Sequence, residues 1–386
     1  MTVQEAALGA NTGGRAWAEI DLGAIRHNVA LLAERAAPAS LCAVVKANAY
    51  GHGAVPVALA ALDAGATRLA VACLDEGIEL RQAGITAPVL LLSEPPSGVM
   101  DEVVAFGLTP TLYTDDGVAE IRAAVEGKGA LTAPYPVHVK VDTGMHRVGA
   151  PATEAARLAV AVHRHPALSL EGLWTHFAVA DAPDDPFTAL QADRFQRVVQ
   201  ELAALGVRPP LLHACNSAGL LAHPSCQYEV VRCGIALYGV APSPALEGAA
   251  DLRPALSLHS RVTYVRELGT GEGVSYGLRF RALRPTQVAT VAIGYADGVP
   301  WRLGITGGEV LIGGRRRPIA GSVTMDLILV DCDDDRSVRP GDKVVLLGRQ
   351  GDQEIRAWEW AERAGTIAYE VLCGVGPRVK KVYVER

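Results

Sequence analysis

From about residue 40 onward, short apolar runs alternate with longer stretches in which apolar residues recur every three or four positions. The runs are LCAVVK (41–46), RLAVAC (68–73), PVLLLS (88–93), TPTLY (109–113), VHVKVD (137–142), LEGLWTHF (170–177), LLHACN (211–216) and YEVVR (228–232). They are nearly continuous in hydrophobicity, the pattern of strands buried on both faces. Between them AVPVALAALDAG, DEGIELRQAG, TDDGVAEIRAAV, PATEAARLAVAVHRH and TALQADRFQRVVQELAALG read as helices. Asp115 and Pro151 stand where helices should start, and Gly65, Gly84 and Gly206 where they should end. Eight strand-plus-helix units predict an α/β fold, a closed (β/α)8 TIM barrel. An open doubly wound sheet is the structural alternative.

After residue 240 the pattern changes. The segment 241–255, APSPALEGAADLRPA, has the Pro, Ala and Gly content of a linker. LSLHSRVTYVREL, QVATVAIGYADG, GEVLIGGRRRPIAG, VTMDLILVDCDD and RPGDKVVLLG follow as strand text broken by turns, and predict a mainly antiparallel β-domain. A short helix at AWEWAERAG and a last strand at RVKKVYV close it. The expected organisation is a polar N-terminal tail over 1–16, a barrel over 17–250 and a C-terminal β-domain over 251–386.

With 386 residues, 49% of them hydrophobic, the chain can bury a large core. A net charge of −6 argues against a nucleic-acid partner, which needs clustered cations. The one dense basic run, Arg315-Arg316-Arg317, reads as a solvated hairpin turn. No run approaches the roughly 20 apolar residues of a membrane span. The N-terminal text MTVQEAALGANTGGR lacks the cations and apolar stretch of a signal peptide, which points to the cytoplasm. Seven scattered cysteines without a C-x-x-C pair suit free thiols and argue against a structural metal.

A barrel gathers its chemistry at the C-terminal ends of its strands. There stand Lys46, Asn48, Tyr50 and His52; Lys140, Asp142, His146 and Arg147; Trp174 and His176; Asn216 and Ser217; and Arg232 followed by Gly234 and Ile235. Lys46 ends a buried strand, where desolvation would free its amine for a Schiff base. A lysine snorkelling at the rim is the plainer alternative. Ser217 and the amides of Gly234 and Ile235 could cradle a phosphate, although an ordinary strand-to-helix turn would look the same. A lysine and a phosphate cradle on one barrel face are what pyridoxal phosphate requires. His176 is either a core histidine or a site residue.

WAEIDLGAIRHN (17–28), AVVKANAYGHG (43–53), VKVDTGMHRVG (139–149), THFA (175–178), CNSAG (215–219), RCGIALYG (232–239), VSYGLRF (274–280), IGYADG (293–298) and TMD (324–326) carry a resemblance. Across nearly its whole length the chain resembles the alanine racemases, pyridoxal-phosphate enzymes of fold type III. The resemblance implies a barrel plus a β-domain, pyridoxal 5′-phosphate as cofactor, and a homodimer acting on alanine. It implies that Lys46 binds the coenzyme covalently and serves as base on one face of the substrate Cα. Tyr276 of the other subunit would be the base on the opposite face. His176 and Arg232 would be the cations that depress the tyrosine, with Arg232 at the pyridine nitrogen. Tyr50, Asn216, Ser217, Gly234 and Ile235 would help hold the cofactor. Arg147 and the Met325 backbone would hold the substrate carboxylate, and Tyr295 would narrow the entrance. Lys140 matches a position often carried as a carbamate. The product D-alanine would serve peptidoglycan synthesis.

Two departures stand out. Ser322 occupies a place where many members carry an arginine. Pro377 stands where some carry a phosphate-binding tyrosine, so phosphate binding would lean more on Tyr50. Rival readings are a racemase of broader specificity, acting on serine or larger amino acids, a non-catalytic pyridoxal-phosphate binder, and a decarboxylase of the same fold type. The absent signal sequence argues against the first, the VSYG and IGYADG segments against the second, and the want of an acidic pocket against the third.

Overall fold

The computed structural model describes residues 14–129 and 133–386, so the expected N-terminal tail lies outside the described residues up to residue 13. The chain forms two compact units. One comprises Ile25–Ala49 and Ala54–Arg253; the other comprises the segment up to Ala24, Tyr50–Gly53 and Pro254–Arg386.

The first unit is the barrel. Strands Val230–Cys233, Ser40–Val44, Ala66–Val71 and Val89–Leu91 pair in parallel in that order. Thr111–Leu112, Tyr135–Asp142, Leu168–Trp174 and Leu211–His213 form a second parallel run. Two seams join the runs into a ring. The Leu91 and Thr109 amides donate to the carbonyls of Thr109 and Val89 (2.9 and 2.8 Å), and the Arg232 amide donates to the Cys215 carbonyl (3.0 Å). The eight strands expected from the apolar runs are all present. Gly84 and Gly206 follow their helices with φ of 83° and 77°, which a glycine adopts without strain. Thr114 caps helix Asp115–Gly127 by accepting from the Gly117 amide (2.9 Å).

The barrel interior is unusually polar. On strand Tyr135–Asp142, Val137, Val139 and Val141 alternate with His138 and Lys140, and all five are buried. His138 and Lys140 meet His213, two strands away, and Trp174, on the adjacent strand, rather than an aliphatic layer.

The second unit is built on the long strand Leu256–Leu268. It pairs antiparallel with Ala16–Asp21, Thr286–Val291 and Lys343–Gln350. Lys380–Val384 adds a parallel edge to Ala16–Asp21. The strand from Ala16 thus departs from the expected barrel range of 17–250. A strand leading into a helix has the same pattern in either unit; Ile20, fully buried, and Trp17, against the ring of His259 at 5.3 Å, decide for the sheet.

The basic run also departs from expectation. The turn itself is Gly313-Gly314, with φ of 63° and 74°, and the arginines lie on the returning strand Arg315–Pro318. Arg316 pairs with Glu309 and Glu359 (3.0 and 2.7 Å). Arg317 is buried, donating to the Cys332 carbonyl (3.0 Å) and pairing with Asp335. Strand alternation turns it inward, where the charge needs those partners. No described helix is long and apolar enough to cross a membrane.

Candidate active site

Lys46 stands half-buried at the end of strand Ser40–Val44. Directly after it the backbone turns left-handed: Ala47, Asn48, Ala49 and Tyr50 have φ between 51° and 53°. Each such residue costs about 1–2 kcal/mol relative to the right-handed form. Three hydrogen bonds hold the turn. The Ala47 amide donates to the Glu76 carboxylate (2.6 Å), the Ala54 amide to Asn48 Oδ1 (2.8 Å) and the Ala49 amide to the Val45 carbonyl (2.8 Å). Strain kept in this way beside a half-buried lysine is characteristic of a working site.

Arg232 is the hub of the barrel mouth. It is buried, and its guanidinium donates to His213 Nδ1 (2.8 Å), to the carbonyls of Thr175 (2.8 Å) and Ala214 (3.0 Å), and to His176 Nδ1 (3.3 Å). Its pKa is pushed down to about 10 by burial, so it remains a cation near neutrality. A guanidinium only donates, and this fixes the tautomers in turn. His213 accepts at Nδ1 and carries its proton on Nε2, which donates to His138 Nδ1 (2.9 Å). His138 therefore carries its proton on Nε2 and donates to Glu171 (2.8 Å). The result is a one-way chain of donors from Arg232 to a carboxylate. Burial, reinforced by Arg232, holds His213 well below its ordinary range. The hydrogen bond from His138 lowers Glu171.

His176 is also held well below its ordinary pKa, by burial first and then by Arg232, Lys140, Arg147 and Lys46. It is thus neutral near pH 7, which revises the expectation that it acts as a cation. With Nδ1 facing Arg232, its proton sits on Nε2. Lys140 is buried 4.3 Å from the centre of the Trp174 ring, and Arg232 lies 4.5 Å from it. Burial and then the charges of Arg232 and Arg147 bring the Lys140 amine down to about 7. Asp142 opposes that shift, and its own carboxylate accepts from the Gly144 and His146 amides (2.9 and 3.1 Å).

Ser217 is buried and accepts from the amides of Gly234 (3.0 Å) and Ala236 (3.4 Å). Ile235 opens the short turn Ile235–Tyr238. Asn216 caps helix Ser217–Ala222 through the Gly219 amide (2.9 Å), so its side chain is engaged locally. The structure therefore gathers Lys46, Lys140, Arg147, His176, Ser217, Arg232, Gly234 and Ile235 in one unit. The positive groups around the neutral His176 favour an anion. An amine, a guanidinium and a serine–glycine turn make a donor set that fits a phosphorylated aldehyde such as pyridoxal phosphate.

The remaining expected residues belong to the second unit. Tyr50 is buried, its ring 6.2 Å from that of Tyr369. Tyr276 is 77% exposed. It lines a cavity of about 350 Å³ with Arg279, Tyr295, Trp301, Ser322 and Thr324. The amides of Tyr295 and Ala296 donate to the carbonyls of Thr324 and Met325 (3.0 and 3.1 Å), which ties Tyr295 to the Met325 backbone. His138, Glu171 and His213 were not anticipated. Single histidines in apolar runs look like core residues; the signal was that His138 lies two residues before Lys140 and His213 three before Asn216.

A parallel barrel with a strand-end lysine and an arginine-centred mouth, followed in the chain by an antiparallel sheet unit, defines the architecture of fold type III barrel enzymes. The family models named "Alanine racemase, N-terminal domain" and "Alanine racemase, C-terminal domain" match residues 20–242 and 255–383. The chain belongs to the alanine racemase family, and is an isomerase acting on amino acids; the family is dependent on pyridoxal phosphate. It is 46% identical over 368 residues to the alanine racemase of Symbiobacterium thermophilum, covering 95% of this chain and 96% of that one. The crystal structure of the alanine racemase from D-cycloserine-producing Streptomyces lavendulae superposes with a TM-score of 0.92 at 39% identity, covering 97% and 98% of the two chains. The Bartonella henselae alanine racemase with covalently bound pyridoxal phosphate gives 0.86 at 30% identity, over 96% and 100%.

Proposed function

We propose that the chain interconverts L- and D-alanine by a two-base mechanism, as a cytoplasmic homodimer, and supplies D-alanine for peptidoglycan. Each site would combine Lys46 of one copy with Tyr276 of the other. The observation that carries this reading is the fixed, one-way hydrogen-bond chain that holds Arg232 as a cation in the same barrel mouth as Lys46. Pyridoxal phosphate, when bound, supplies the electron sink that acidifies the substrate Cα–H.

The chain's own residues do the rest. Lys46 would hold the coenzyme aldehyde, and Tyr50, Ser217, Gly234 and Ile235 its phosphate, with Asn216 shaping the loop. Arg232 would meet the ring nitrogen. Its guanidinium does not give up a proton readily, so it would leave that nitrogen unprotonated, which would disfavour transamination. Arg147 and the Met325 backbone would orient the substrate carboxylate, and Tyr295 would restrict the entrance.

Lys46 then moves a proton on the D-alanine side of Cα, and Tyr276 of the second copy on the L-alanine side. A phenol acts as a base through its phenolate, which a hydrogen-bond donor stabilises. The neutral His176 offers an Nε2–H donor to a phenolate, and Arg232 behind it supplies the charge. Lys140 is positioned to become a carbamate. A neutral amine adds carbon dioxide through a new N–C bond and releases a proton, leaving an anion beside Arg147.

A racemisation assay with a panel of L-amino acids tests the reading. Alanine should react far faster than lysine or arginine; comparable rates for those two would reject the substrate assignment.

A further inference from the structure

We infer that Ser322 is a positioning residue for Tyr276, acting with Ser275 through a pair of crossed hydrogen bonds. The inference rests on the proposed role of Tyr276 as the L-side base. The short strands Gly273–Val274 and Phe280–Arg281 form a hairpin, and Tyr276 sits at its tip. The tip is not a relaxed turn. Ser275 has φ 60° and ψ 179°, a region adopted almost only by glycine, and Leu278 has φ 45°. Gly277, at φ 75°, takes its conformation without strain. Two non-glycine residues held this way on either side of Tyr276 persist only where the surroundings over-determine the backbone.

Ser322 provides that determination. The Ser275 hydroxyl donates to the Ser322 carbonyl (2.7 Å), and the Ser322 hydroxyl donates to the Tyr276 carbonyl (3.0 Å). Ser322 is itself anchored. It is 3% exposed, and the preceding Gly321 has φ 80°. A Cβ on Gly321 would come within 3.2 Å of the Val274 carbonyl and 3.4 Å of Ser275 Cβ, so the glycine lets the two segments approach. One residue earlier, the Ala320 amide donates to the Leu329 carbonyl (2.7 Å), and Ala320 belongs to the core cluster with Leu268, Val274 and Val288. A buried, sheet-anchored serine thus grips the backbone of an exposed tyrosine. A short side chain can reach back to that carbonyl.

The test compares Ser322→Ala with Ser322→Thr, and uses Tyr276→Phe as a control. In coenzyme-free protein, amide hydrogen exchange across 273–281 should speed up about 10-fold in Ser322→Ala, the order expected for losing one hydrogen bond, with the barrel strands unchanged. In the loaded enzyme, deuterium uptake from solvent into the Cα of L-alanine should slow by about 10-fold or more. Uptake into D-alanine, which needs only Lys46, should stay the same. Ser322→Thr should restore both. A merely structural defect would slow the two enantiomers together. Equal, unchanged uptake in Ser322→Ala, alongside loss of L-side uptake in Tyr276→Phe, overturns the inference alone. L-side uptake that survives Tyr276→Phe overturns the role of Tyr276 beneath it. If Ser322→Ala does not fold, Ser275→Ala removes the other hydrogen bond and must show the same one-sided loss; an even loss overturns the clamp.

Discussion

The barrel mouth and the hairpin tip position their functional groups by opposite means. In the mouth, Arg232, His213, His138 and Lys140 are almost fully buried, and side chains hold side chains. At the tip, Tyr276 is mostly exposed, and two serines grip its backbone instead. The first arrangement spends burial on charge and fixes the imidazole protons by donor logic. The second presents a phenol outward on a strained turn. A group placed in this way is suited to act on something other than its own surroundings, which is what a base lent to a second copy requires.

The sharpest way to break this comparison is Lys46→Ala. It should abolish both racemisation and the visible absorbance of the coenzyme-loaded protein; a spectrum that keeps that band removes Lys46 from its role. Tyr276→Phe comes next. It should keep the coenzyme and its spectrum while racemisation falls by about 10³-fold, the size expected for losing a general base. Normal turnover of both enantiomers would refute the two-base assignment.

The buried amine gives the third effect. Lys140 is held near 7 in the folded protein, against an ordinary 10.5 when unfolded. Between those values the unfolded chain binds the extra proton, so stability rises with pH across that window, and the penalty is fully present below about 7. Lys140→Met in carbon-dioxide-free buffer should therefore be more stable than the parent at pH 6, on the order of a few kcal/mol. The gap should close towards pH 10.5. A gap independent of pH would contradict the shift. The smallest effect concerns the outer end of the donor chain. Glu171→Gln keeps an acceptor for His138 but removes the charge, and urea denaturation should show a loss of about 1 kcal/mol. No loss would mean that the carboxylate charge contributes nothing to holding Arg232.

Much of the barrel was legible because strands buried on both faces write continuous apolar runs, and Lys46 interrupts one of them. The polar chain His213–His138–Glu171 was not, because its meaning lies in which neighbouring strands face inward together. Ala16–Asp21 was misplaced for a related reason: a strand's pattern records that it is buried, but not against which sheet. The hairpin tip was legible as VSYG, yet its strain was not. Ser275 and Leu278 carry positive φ where sequence alone leads one to expect glycine. The role of Arg317 was hidden by its neighbours, since three arginines in a row suggest solvent even when alternation buries one.

The proposed sharing of a site between two copies can be tested directly by mixing. Lys46→Ala and Tyr276→Phe are each expected to be inactive. Unfolded or dissociated together and reassembled, half of the dimers would be hybrid, and each hybrid would hold one intact pair of bases. The mixture should regain about a quarter of the parental activity. Hybrid dimers that form, as shown by differently tagged copies, yet recover no activity would contradict the account.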